Sequence, residues 1–144
     1  MPDDGDVFAC IRSALTGGPA LRLAIVFGSA ARGRLRPDSD VDVDIIPTDP
    51  GLPLAAELDL QARLERACRR PVDLLRLDRA PTLVAWEAAR GGRLVLADPP
   101  VAFRRFLARA ALDHADLLTA LGPAAERLRQ RLAQPGARPA TSST

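Results

Sequence analysis

The sequence predicts an α/β domain that continues into helices, and three observations carry that prediction. Leu23, Ala24, Ile25, Val26 and Phe27 form an unbroken apolar run rich in strand formers, the pattern of a strand buried on both faces. Val41, Val43 and Ile45 alternate with Asp40, Asp42 and Asp44, the period-two pattern of a strand with one face in a core. The remaining apolar residues recur mostly at helical spacing. The longest such stripe carries Phe103, Phe106, Leu107, Ala110, His114, Leu117, Leu118 and Leu121.

Taken in order, an acidic start (Asp3, Asp4, Asp6) leads into a short amphipathic helix that ends near Gly17-Gly18-Pro19. The first strand, 23–27, stops at Gly28-Ser29, and Ala30, Ala31 and Arg32 read as the opening of a short helical turn. The acidic strand follows, then a loop over 47–53, a helix over 54–69 and a third strand over 72–77, opened by Pro71. Pro81 begins another helix, with Leu83, Val84 and Trp86, and Gly91-Gly92 stops it. Residues 93–96 form a further short strand. Asp98 is expected to cap the long helix, which runs to about Leu121 and is broken by Gly122-Pro123. A final helix reaches about Ala133, and the small, polar residues beyond it are expected to be disordered. The organisation expected is one domain, with residues 1–98 as the core, 99–133 as a helical extension packed on it and 134–144 as a tail.

The chemistry is concentrated between Gly28 and Asp44, in the string GSAARGRLRPDSDVDVD. Glycine after a strand lets the backbone turn sharply and approach a ligand, and the N–H groups of such a turn make a concavity for anions. The Ser29 hydroxyl adds a donor for a phosphate oxygen. Asp40, Asp42 and Asp44 share one strand face, neighbours roughly 7 Å apart at the backbone. Carboxylates so placed repel one another unless a cation or protons neutralise them. Magnesium takes such oxygens, commonly one or two carboxylates together with substrate phosphates. A phosphate turn followed by an acidic strand is therefore what a metal–nucleoside triphosphate site needs.

Gly28-Ser29, ten intervening residues and Asp40-x-Asp42 together resemble the signature of the DNA polymerase beta-like nucleotidyltransferase superfamily. The fuller string GSAARG…SDVD looks like its small bacterial branch, the minimal nucleotidyltransferases that occur as antitoxins beside HEPN-domain toxins. The resemblance implies a polymerase beta-like fold with a small mixed sheet flanked by helices, and a third carboxylate on a later strand, which Asp73 supplies. It implies that Asp40, Asp42 and Asp73 are catalytic and hold magnesium, two ions in all, and that Gly28, Ser29 and Arg32 bind the nucleotide. Asp73 also helps activate the acceptor hydroxyl. The reaction implied is transfer of AMP from ATP to a hydroxyl, a tyrosine of a cognate HEPN ribonuclease toxin, which is thereby neutralised. Two rivals stand beside it: a small-molecule nucleotidyltransferase of the aminoglycoside type, and an antitoxin that acts by binding alone. Asp44 departs from the pattern, since relatives carry an apolar residue there. It either backs the metal ligands or pairs with an arginine such as Arg76, and the ion pair is the expected role.

Composition sets the frame. The chain has 144 residues, 47% of them apolar, enough for one domain with a real core. A net charge of +2 and an aromatic content of 3% give neither the charge nor the stacking platform of a nucleic-acid binder, so none is expected. Every cationic side chain is arginine, a compositional bias that fits a GC-rich genome. Cys10 and Cys68 lack a C-x-x-C or histidine partner, which argues against zinc and disulfides, and Cys68 sits at the spacing of core residues. His114, the only histidine, lies on the apolar face of the long helix and is expected to be packed or hydrogen-bonded rather than catalytic. The surplus of apolar surface on that helix suggests a docked partner. No membrane-spanning run or leader is read, and a cytoplasmic location is expected.

Overall fold

A computed structural model of the chain describes residues 4–27 and 40–134. Four strands, β1 (Leu21–Phe27), β2 (Val41–Pro47), β3 (Val72–Arg76) and β4 (Arg93–Ala97), form one mixed sheet in the order β3-β2-β1-β4. β1 pairs antiparallel with both β2 and β4, while β2 and β3 run parallel. A parallel pair cannot be joined by a tight turn, and α2 (Leu54–Cys68) makes the crossover. The other helices are α1 (Asp4–Thr16), α3 (Thr82–Gly91), α4 (Val101–Leu121) and α5 (Pro123–Ala133).

Strand periodicity sorts the core into two halves. Val41, Val43 and Ile45 turn to one face and pack with Val26, Val72, and residues of α1 and α2 such as Ile11, Leu60 and Leu64. Leu23 and Ile25 of β1 turn to the other, against Leu77, Ala88, Phe103 and Phe106. An irregularity in pairing between Leu21 and Leu23 lets Leu21 join the first half despite its odd spacing. Cys68 lies in the first half as expected, its thiol pushed up to about 11, chiefly by burial. Gly92, between α3 and β4, is required by close approach, because a Cβ there would overlap Ile25 and the Ala88 carbonyl.

The elements follow the sequence closely. β1 begins two residues earlier than expected, and the end of the third strand becomes a 3-10 turn, Leu77–Arg79. The expectation for Asp98 is corrected: α4 starts at Val101 with Pro100 as its cap residue and no capping side chain. Asp98 ends the β4 connection instead, its N–H donating to the Arg22 carbonyl. The turn read at Ala30–Arg32 and the tail beyond Gln134 lie outside the described residues. Among the described residues, no helix is long and apolar enough to cross a membrane.

His114 is structural, as its apolar face implied. It is 7% exposed and stacks on Trp86 of α3, ring centroids 4.4 Å apart and planes within 7°. The Arg129 guanidinium of α5 donates to its Nε2, so the ring must be neutral there. Burial first and the Arg129 charge second hold the imidazole below its usual range. The fold thus favours the neutral ring. This contribution is complete above the unfolded value of 6.5 and is lost as pH falls below it. Acidification to about pH 5 should therefore release α5 from α4 before global unfolding, and His114→Gln should remove most of that pH dependence. The fluorescence of Trp86, the chain's only tryptophan, reports it directly.

Candidate active site

The acidic strand is positioned by pairing on both sides. Asp42 faces Phe27, the last residue of β1, across one ladder and Asp73 across the other. Asp40 immediately precedes β2, and the N–H of Val41 donates to the Pro71 carbonyl at 3.0 Å, which ties the start of β2 to the start of β3. Parallel register therefore brings Asp73 beside Asp42 from thirty-one positions further along the chain (73 − 42). Each of these carboxylates stands on the face opposite the valines, as period-two alternation requires.

Their charges interact. The Asp42 carboxyl is raised above its ordinary value by partial burial first, then by the neighbouring charges of Asp73 and Asp40. Asp73 and Asp40 themselves are exposed to solvent. The three do not close into a preformed cage; among the described residues no group of three metal-ligating side chains does. Mutually repelling oxygens open to solvent are nevertheless the donor set of a hard divalent ion that keeps water and substrate phosphates in its shell. The donor chemistry fits magnesium.

Asp44 corrects the expected ion pair. It faces Leu75 across the β2–β3 ladder, while Arg76 lies opposite Ile45 and so turns to the other side of the sheet. There Arg76, 7% exposed, donates to Glu57 Oε1 and to Asp78 Oδ2, both at 2.6 Å, and to the Pro50 carbonyl at 3.0 Å. Asp44 remains with Asp42, 4% exposed, its carboxyl pushed up to about 6 by burial and then by the Asp42 charge. At low pH the carboxyl is protonated whether folded or not, and costs nothing. As pH rises from 3.8 to about 6 the unfolded chain ionises first, and above that range the fold bears the whole penalty. At 1.36 kcal/mol per unit the penalty is on the order of 3 kcal/mol. Asp44→Asn, melted in chelator, should raise the melting temperature by several degrees near neutral pH and leave it unchanged at about pH 3.

A cleft of about 520 Å³ opens over these residues. Asp42, Asp44 and Asp73 form its acidic side and Phe27 its end, while Leu83, Val84 and Glu87 of α3 face them. The α3 residues were not visible as site members in the sequence. Leu83 and Val84 read there as ordinary helix residues, and their signal is spatial: they are large apolar side chains, 48% and 38% exposed, beside charge. Gly28, Ser29 and Arg32, expected to hold the nucleotide, lie outside the described residues; the strand that leads into them ends at the cleft.

Strand order, the paired carboxylates and the cleft define a nucleotidyltransferase architecture, and residues 10–99 match the polymerase beta nucleotidyltransferase family. The chain belongs to that family. Among proteins of curated function none matches. Among solved structures, a toxin–antitoxin crystallised with AMP-PNP is similar over 85% of this chain and 98% of its own, with 22% identity and a TM-score of 0.73. The MntA–HepT toxin–antitoxin shares 19% identity over 88% of this chain and 96% of its own, with a TM-score of 0.63. A chain of the complex between a tri-AMPylated Shewanella oneidensis HEPN toxin and an MNT antitoxin also shares 19%, over 88% and 95%, with a TM-score of 0.62. At these identities the likeness is one of fold.

Proposed function

We propose that this nucleotidyltransferase is the antitoxin of a toxin–antitoxin pair, moving AMP from magnesium-bound ATP to a tyrosine hydroxyl of a HEPN-domain ribonuclease. The observation that carries the reading is the register of the parallel ladder, with Asp42 against Asp73 and Asp40 at the mouth of the same strand. The fold's likeness to toxin–antitoxin proteins, one crystallised with AMP-PNP and one containing an AMPylated toxin, supports the partner and the nucleotide.

In this reading Asp40, Asp42 and Asp73 would hold magnesium, which would supply charge neutralisation for the triphosphate and the leaving group. Gly28, Ser29 and Arg32 would bind the nucleotide, as the family resemblance implies. The acceptor oxygen forms a bond to the α-phosphorus, the bond to the bridging oxygen breaks, and pyrophosphate leaves. Asp73, at the solvent-exposed side of the carboxylate row, accepts the hydroxyl proton. Leu83 and Val84 give the acceptor an apolar wall.

The outer helices favour a protein acceptor. Leu112 and Leu121 of α4 and Leu128 and Leu132 of α5 are 48–76% exposed, more apolar surface than an isolated helical extension explains. The test supplies α-labelled ATP and magnesium with the product of the neighbouring reading frame, which this reading expects to be a HEPN-domain protein. Label should move to a tyrosine of the partner. Label that persists in the Asp40→Asn, Asp42→Asn variant overturns the mechanism; toxin inhibition by that variant without ATP would instead favour neutralisation by binding.

A further inference from the structure

A second cavity, of about 570 Å³, lies on the same face of the sheet as the acidic cleft but towards the opposite end of the strands. It meets β1 at Arg22, whereas the cleft meets β1 at Phe27. Five residues of extended chain separate the two by roughly 17 Å. Ile46, Leu77, Phe106 and Ala110 give the cavity an apolar floor, and α3 and α4 form its sides.

Its charges do not cancel. Asp78 reaches the lining but is bound by Arg76, and Arg109 is paired with Asp113 of its own helix. Arg22 and Arg105 also reach the lining, from the start of β1 and the first turns of α4, and among the described residues neither makes a side-chain hydrogen bond or ion pair. Two guanidinium groups from separate elements, unpaired among the described residues, therefore line one apolar basin. A carboxylate is satisfied by one bidentate arginine, whereas a phosphate monoester carries close to two charges and oxygens enough for two forks. The volume is that of a small-molecule site.

We infer that this cavity is a binding site for an organic phosphate monoester with an apolar body, its phosphate held by Arg22 and Arg105 and its body on Phe106 and Leu77. The site is separate from the acidic cleft and needs no metal. Helix α3 borders both, with Thr82 and Ala85 on this cavity and Leu83, Val84 and Glu87 on the cleft.

The test is a titration of the full chain in chelator at about pH 8, where His114 is neutral. Phenyl phosphate is the probe, with inorganic phosphate and benzoate as head-only and singly charged controls. Trp86, one helical turn from the cavity through its stack on His114, and calorimetry both read binding. Phenyl phosphate should bind saturably and about tenfold or more tighter than either control. Arg22→Ala and Arg105→Ala should each weaken it about tenfold, the loss of a charge-assisted hydrogen bond. Both positions are exposed, so the melting temperature should not move. Asp42→Asn should bind phenyl phosphate as the parent does. The inference is overturned by the absence of saturable binding in the millimolar range, or by affinity that ignores both arginines. Affinity that follows Asp42 also overturns it, since the probe would then be in the acidic cleft.

Discussion

Asp42→Asn should reduce nucleotide transfer by three orders of magnitude or more while making the metal-free protein more stable. The two effects have one cause. The side chain is held among Asp40, Asp73 and Asp44, and burial and like charge already push its carboxyl upwards. In the proposed mechanism, replacing it with an amide removes repulsion from the metal-free site and a ligand from the loaded one. Loss of charge stabilisation at a reacting phosphoryl group costs several kcal/mol of barrier, and each 1.36 kcal/mol is tenfold in rate. The measurement is a pair of melts and a pair of rates. Magnesium with a non-hydrolysable ATP analogue should raise the melting temperature of the parent and not that of the variant. A variant that is inactive because it is unfolded would show the opposite order of melting temperatures in chelator.

Arg76→Ala should be strongly destabilising although it lies away from the cleft, at about 3 kcal/mol. Arg76 is buried and divides its donors between Glu57 of α2, Asp78 beyond β3 and the Pro50 carbonyl before α2. Its removal strands two carboxylates that are only 19% and 21% exposed. Arg76→Lys should recover only part of the loss, because an ammonium cannot reproduce the bidentate grip on Asp78. The pH dependence has a definite sign. Hydrogen bonding to Arg76 holds the Asp78 carboxyl below its ordinary value of 3.8. The stabilisation is present above that value and is lost as pH falls through the depressed one. Denaturant titrations should therefore show parent and variant converging at strongly acid pH. Transfer activity should also fall, because Asp73 lies three positions before Arg76 on the same short strand.

What could be read from the sequence follows from which patterns are local. Alternation of Val41, Val43 and Ile45 with aspartates places both faces of β2 without any knowledge of neighbours. The helix bounds follow from Pro53, Pro81, Gly92 and Gly122, which act on their own backbone. Asp73 could be ordered into the site only by resemblance, since one aspartate in a strand says nothing of its partner; the ladder supplies that. The Asp44–Arg76 pair failed because side-chain direction depends on register. Residue 76 sits opposite residue 45 and not 44, and one position reverses the face. Asp98 failed as a cap because two prolines follow it, and the helix starts after both. Leu83, Val84 and Glu87 could not be assigned at all, since their role exists only once α3 is laid across the sheet.

Helix α3 is ten residues long and has little idle surface. Ala88 enters the core, Trp86 meets His114, and the remaining turns border two separate hollows. Damage at one of these places can shift the others only through small rotations or slides of this helix. In a genetic screen, second-site suppressors of a weakened cleft should accordingly gather on α3 and on the α4 residues beneath it. Changes in α1 and α2, across the sheet, should restore stability without restoring transfer.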